Sequence, residues 1–71
     1  PQMLIDLIKK FEEGRSLYLK KSFDQAYECF VACQKIKQND GPSQLYLERI
    51  AKYKENPPSK DWDGVFTFTH K

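Results

Sequence analysis

The chain has 71 residues, room for one domain with a thin core, since a chain this short buries only about 60% of the surface its unfolded form exposes. Hydrophobic residues at 39% and charged residues at 31% place it with folded helical domains and exclude a disordered tail. Twelve basic and ten acidic residues, interspersed and with basic runs no longer than pairs such as Lys20-Lys21, leave a net charge of +2 and no basic stripe for nucleic acid.

No apolar run approaches the ~20 residues of a membrane span, and no signal-peptide pattern is present, so neither membrane contact nor secretion is expected. The chain opens Pro1-Gln2-Met3 without an initiator methionine, which reads as a piece of a longer protein.

The first helix is predicted from about Gln2 to Lys20. Leu4, Leu7, Ile8, Phe11 and Tyr18 recur at three- and four-residue steps and make one apolar face. Glu12, Glu13, Lys9 and Lys10 occupy the other. Gly14 interrupts the stripe, and an interior glycine costs ~1 kcal/mol relative to alanine, so another backbone is expected to pass close by. Ser22-Phe23-Asp24-Gln25 has the form of a capping box, with the Ser22 hydroxyl and the Gln25 side chain exchanging bonds across the first turn of the next helix.

That second helix is predicted from about Phe23 to Lys37. Its apolar stripe is Phe23, Ala26, Tyr27, Phe30, Cys33 and Ile36, and Lys35 and Lys37 oppose the helix dipole in the last turn. Cys29 and Cys33 share a side, but four residues along a helix a disulfide would strain the backbone, so both are read as reduced thiols. Asn39-Asp40-Gly41 ends the element, and Pro42 suits the first position of a third helix running to about Glu55. Tyr46, Leu47, Ile50, Ala51 and Tyr53 form its apolar side, and Pro57-Pro58 stops it.

The tail from residue 56 to residue 71 is polar turn chemistry around Trp62, followed by Val65-Phe66-Thr67-Phe68-Thr69, a stretch of extended character. Left free, Trp62 and the phenylalanines would expose a large apolar area, so the tail is expected to pack back with Trp62, Val65 and Phe66 as its anchor.

The pair of helices around Gly14, Ala26 and Phe30 resembles one tetratricopeptide repeat, a helix–turn–helix of about 34 residues with small and aromatic residues at fixed offsets. In that register Gly14 and Ala26 let the two helices approach, while Tyr18, Phe23 and Phe30 fill the flanks. Lys10, Glu13, Cys33 and Gln38 depart from the motif's preferred Trp, Leu, Ala and Pro.

The second half carries a more distinctive ordered string: Asp40-Gly41-Pro42-Ser43, Leu47-Glu48-Arg49, Tyr53, Pro57-Pro58 and Asp61-Trp62-Asp63-Gly64-Val65, closing on Lys71. From about Phe11 to Lys71 the sequence resembles the C-terminal tetratricopeptide-like extension of bacterial class III adenylate/guanylate cyclases. The resemblance implies a parent with a membrane-linked sensor region and a separate catalytic domain that makes a cyclic nucleotide with two metal-binding aspartates. Those motifs are absent here, so the resemblance implies a place in a cyclase without cyclase activity in this segment. It also implies a cytoplasmic location with the parent attached to the inner membrane. Because such active sites form between two catalytic domains, it implies a partner that is protein: a second copy, the parent's catalytic domain, or both.

The chemical candidates are weaker than their structural readings. Asp61 and Asp63 beside Trp62 suit a turn better than a metal site, because no convergent partner accompanies them. His70 has no nucleophile near it in sequence, and nothing in the sequence lowers the Cys29 pKa, so that thiol is expected to be structural and half-exposed. The aromatics Phe11, Tyr18, Phe23, Tyr27 and Phe30 are expected in the core, and Lys20, Lys21, Arg49, Lys52 and Lys54 on a solvated face. No cofactor and no metal is expected.

The expected architecture is therefore all-α: a tetratricopeptide-like helix–turn–helix, a third helix and an extended tail, one domain over residues 1–71. The expected function is a non-catalytic regulatory or assembly element. An adaptor that captures a peptide of another protein is the alternative, but peptide grooves are normally built from several stacked repeats, and this chain has one and a half.

Overall fold

The computed structural model describes residues 2–64. The expected anchor residues Val65 and Phe66, and also His70, lie outside the described residues. The fold is all-α, with α1 over Gln2–Leu19, α2 over Phe23–Ile36 and α3 over Gly41–Glu55, and no strand among the described residues.

α1 packs along α2, and α3 packs on α2 in turn. The backbones of α1 and α3 stay apart and are bridged by rings: Phe11 and Tyr18 of α1 meet Tyr46 of α3 edge-on, with centroids 5.6 and 4.8 Å apart. The core is Tyr18, Ala26, Phe30, Cys33, Ile50 and Tyr53, with Leu7, Phe11, Leu17, Phe23, Tyr46, Leu47 and Trp62 packed around it. Burying aromatic rings in this number lets a short chain remove a large apolar area from water, each ring accounting for roughly 150–250 Å².

The apolar face of α1 is shorter than its periodicity suggests. Leu7, Phe11, Gly14 and Tyr18 face the interior, but Leu4 and Ile8 are 53% and 54% exposed. α1 has 18 residues and α2 has 14, so the first turn of α1 runs past the end of its neighbour and Leu4 has nothing opposite it. Ile8 follows Leu7, and one residue is a 100° rotation, which carries it off the buried face. On α3, Ala51 is exposed for the same rotational reason, one step beyond the buried Ile50. On α2, Tyr27 follows the buried Ala26 in the same way and is 40% exposed.

The capping box does not form. α1 ends with Lys21 in the left-handed region at φ 66°, the Ser22 amide donating to Leu17 O at 2.9 Å and the Lys21 amide to Tyr18 O at 3.0 Å. This is the paired ending that usually uses glycine. With the Ser22 amide already taken, Gln25 has nothing to reach back to, and the Ser22 side chain makes no capping bond to α2.

The next junction is tighter. Asp40 caps α3, its carboxylate accepting from the Ser43 amide at 3.1 Å, and Gly41 rather than Pro42 is the first helical residue. Proline is accepted in this turn because the first amides of a helix have no carbonyl to bond. α2 ends at Ile36, so Lys35 falls in its last turn and Lys37 becomes the C-cap.

Candidate interaction surface

At Gly14 α1 and α2 approach closely. A Cβ there would lie 2.9 Å from Cys29 Cβ and 3.0 Å from the Phe30 ring, so a side chain cannot be added without displacing α2. The neighbours are Cys29 and Phe30, one turn beyond the Ala26 expected from the repeat register. Ala26 is fully buried and belongs to the core with Tyr18, while Phe23 is half-buried.

Both cysteines are free and buried, Cys29 at 7% exposure rather than half-exposed. Desolvation pushes both thiols above the usual value; Glu13 adds to the effect at Cys29 and Asp40 at Cys33. Raised thiols are poor nucleophiles at neutral pH, so neither position has the environment of a reactive cysteine.

The rings form a continuous layer. Phe30 stacks on Tyr46 with centroids 4.9 Å apart, and Phe23 stacks on Tyr53 at 5.4 Å. Trp62 closes the layer from the tail: its ring meets Tyr18, Tyr53 and Phe23 edge-on at 5.4, 5.3 and 5.9 Å, and its indole N–H donates to Tyr53 Oη at 3.0 Å. Lys21 reaches the same segment, its ammonium donating to Ser59 O at 3.2 Å. Tyr18 is 1% exposed and its hydroxyl has no hydrogen-bond partner among the described residues; burial and then the facing Tyr53 push its pKa up to about 12.

A second cluster escapes any reading by periodicity. The Gln34 side-chain amide donates to Asp40 O at 2.8 Å and to Ser43 Oγ at 2.6 Å, joining α2 to the start of α3. Asp40 and Ser43 are buried, and the Asp-x-x-Ser spacing before an apolar run was the available signal for the cap. Gln34 gave no such signal, because its partners come together only when α3 folds back.

What the core leaves uncovered is concentrated on α1. Met3, Leu4, Ile5 and Ile8 are 63%, 53%, 47% and 54% exposed. Beside them a shallow groove between α1 and the start of α3 is lined by Leu7, Ile8, Phe11, Glu12, Asp40 and Pro42. Lys10 pairs with Glu13 at 3.1 Å and Lys54 with Asp24 at 2.6 Å, both at the surface, and in each pair the carboxylate's hydrogen bond raises the lysine pKa.

Among the described residues no three His, Cys, Asp or Glu side chains gather where a metal could bind; Asp61 and Asp63 are exposed on either side of Trp62. No helix among the described residues is long and apolar enough to cross a membrane. Compared with known proteins, the chain matches no family model, no curated protein and no solved structure.

Proposed function

We propose that this chain is a non-catalytic protein–protein interaction module, the C-terminal tetratricopeptide-like region of a bacterial class III adenylate/guanylate cyclase. In this reading it holds two catalytic domains together, or sets their spacing, through self-association or contact with a catalytic domain. The observation that carries the interaction role is the run of exposed apolar side chains at Met3, Leu4, Ile5 and Ile8 on a helix whose Leu7, Phe11 and Tyr18 are already packed. Helical repeat units bury their apolar faces by stacking on neighbours, and about three are usually needed for stability, so a unit and a half calls for a partner.

The cyclase assignment rests on the string from Asp40 through Asp61-Trp62-Asp63-Gly64-Val65. In this reading the structure gives that string a physical use. Asp40 caps α3, Tyr53 accepts from Trp62, and Trp62 fixes the tail over the aromatic layer. These are structural duties, which suits a module that positions other domains.

The reading frame upstream of Pro1 tests the assignment: a cyclase catalytic domain ending just before it is the expected result, and an unrelated domain there ends the cyclase reading. The purified chain is expected to cyclise neither ATP nor GTP with magnesium or manganese. Turnover that tracks with the protein through purification would contradict the non-catalytic role.

A further inference from the structure

A second stripe runs along α1, roughly 110° around the helix from the buried face. Ile5, Ile8, Glu12, Arg15 and Leu19 follow one another at steps of three, four, three and four residues, the spacing of a two-helix seam. All five are exposed, with Ile5, Ile8 and Leu19 at 47%, 54% and 47%. Neither Glu12 nor Arg15 forms an ion pair among the described residues. A Cβ at Gly64 would lie 2.6 Å from Leu19 Cδ2, so the tail passes beside Leu19, which is still 47% exposed.

We propose that this stripe pairs with the same stripe of a second copy, the two α1 helices lying antiparallel about a twofold axis between residues 12 and 15. The order of side chains selects this partner. Read from either end, Ile8-Glu12-Arg15-Leu19 is apolar, charged, oppositely charged, apolar. Turned end for end and laid on itself, the stripe sets Glu12 against Arg15 of the second copy twice, and Ile8 against Leu19 twice. A twofold interface requires this self-complementarity, because each contact occurs with its mirror. A parallel pairing instead sets Glu12 against Glu12 and Arg15 against Arg15, which opposes like charges. The charged centre selects the orientation, and the apolar ends supply the burial.

This rests on the self-association branch of the proposed function and deepens it by naming the surface and the register. Charge reversal tests it, because the positions are exposed and the fold does not depend on them. Sedimentation velocity is run on the 71-residue chain, on Glu12→Arg and on Arg15→Glu separately, and on an equimolar mixture of the two variants, with circular dichroism melts to establish that each is folded. The wild type is expected to associate. Each variant alone is expected to weaken association about tenfold or more, since two weak attractions become two repulsions. The mixture is expected to restore it, because a mixed pair again sets opposite charges together at both contacts. Ile8→Ser is expected to weaken association while its circular dichroism spectrum stays helical.

A wild-type chain that stays monomeric at millimolar concentration overturns the pairing and leaves contact with a catalytic domain as the form of the proposed function. Association that neither reversal weakens overturns the pairing while self-association through another surface stands. Weakening by both reversals without recovery in the mixture also overturns it, because the two positions then do not face each other.

Discussion

Gly14 and Tyr18 lie one turn apart on α1 and are constrained in opposite ways. At Gly14 the constraint is space: Cys29 Cβ and the Phe30 ring stand where a side chain would go. Gly14→Leu is expected to cost ~1–3 kcal/mol by overpacking, and thermal melting reads this as a clear fall in Tm. An unchanged melt would show that the helices part more freely than their geometry indicates. At Tyr18 the constraint is polarity. Its hydroxyl is buried without a partner among the described residues, a state that costs folding free energy, so Tyr18→Phe is expected to leave stability unchanged or raise it by up to ~1 kcal/mol. A large loss in that variant would mean that the hydroxyl has a bonding role. The pH dependence has a defined sign. The folded-state pKa of Tyr18 is raised from 10.0 to about 12, so its contribution is complete below pH 10 and is lost as pH climbs through about 12. Denaturant melts between pH 9 and pH 12 should fall less steeply for Tyr18→Phe than for the wild type, and identical slopes would remove the buried phenol as a cause.

Each helix end follows a different rule. α1 ends on the left-handed Lys21, which consumes the Ser22 amide and leaves Ser22 without a capping function. α3 starts on an aspartate that caps it and is itself held by Gln34. The two junctions therefore predict different responses. Asp40→Ala is expected to destabilise by ~1–2 kcal/mol, the upper part of the range for a lost cap, because Ser43 and its amide are buried. Ser22→Ala is expected to change stability by no more than ~0.5 kcal/mol, as surface substitutions away from such features do. Chemical denaturation of both variants checks the contrast, and equal losses would restore a capping role to Ser22. The capping box was legible as a motif, but whether it forms depends on how the preceding helix ends. A four-residue window does not contain that information.

Across the whole molecule the tail and the helices share one aromatic layer. Trp62 is the chain's only tryptophan, so its fluorescence reports the seating of the tail directly. Trp62→Ala is expected to cost ~3 kcal/mol, the lower end for truncating a large aromatic because the ring is half-buried. Ending the chain after Pro58 should cost at least as much. A truncated chain that melts with the wild type would show that the three helices are stable without the tail. The exposed apolar face of α1 belongs to this scale too, since no single residue or helix defines a partner. It is defined by what remains uncovered once α2 and α3 have chosen their faces.

The sequence by itself determined the number, type and approximate limits of the helices, because a three-to-four-residue periodicity and the breaks at Asn39–Pro42 and Pro57-Pro58 are local properties of the chain. It also marked Gly14 as a place of close approach and Trp62 as a ring that needs cover, since an interior glycine and a large aromatic flanked by polar turn residues each carry a cost that only a contact offsets. The tertiary structure decided the rest. Only the packing of α2 set Cys29 and Phe30 against Gly14 instead of Ala26 and buried Cys29. Only the difference in length between α1 and α2 left Leu4 without a neighbour, and only the return of α3 brought Gln34 to Asp40 and Ser43. Periodicity states that a helix has an apolar face, but its width and length are fixed by the neighbour that covers it. In a chain this short each helix has few neighbours, so much of an apolar face can be left in water.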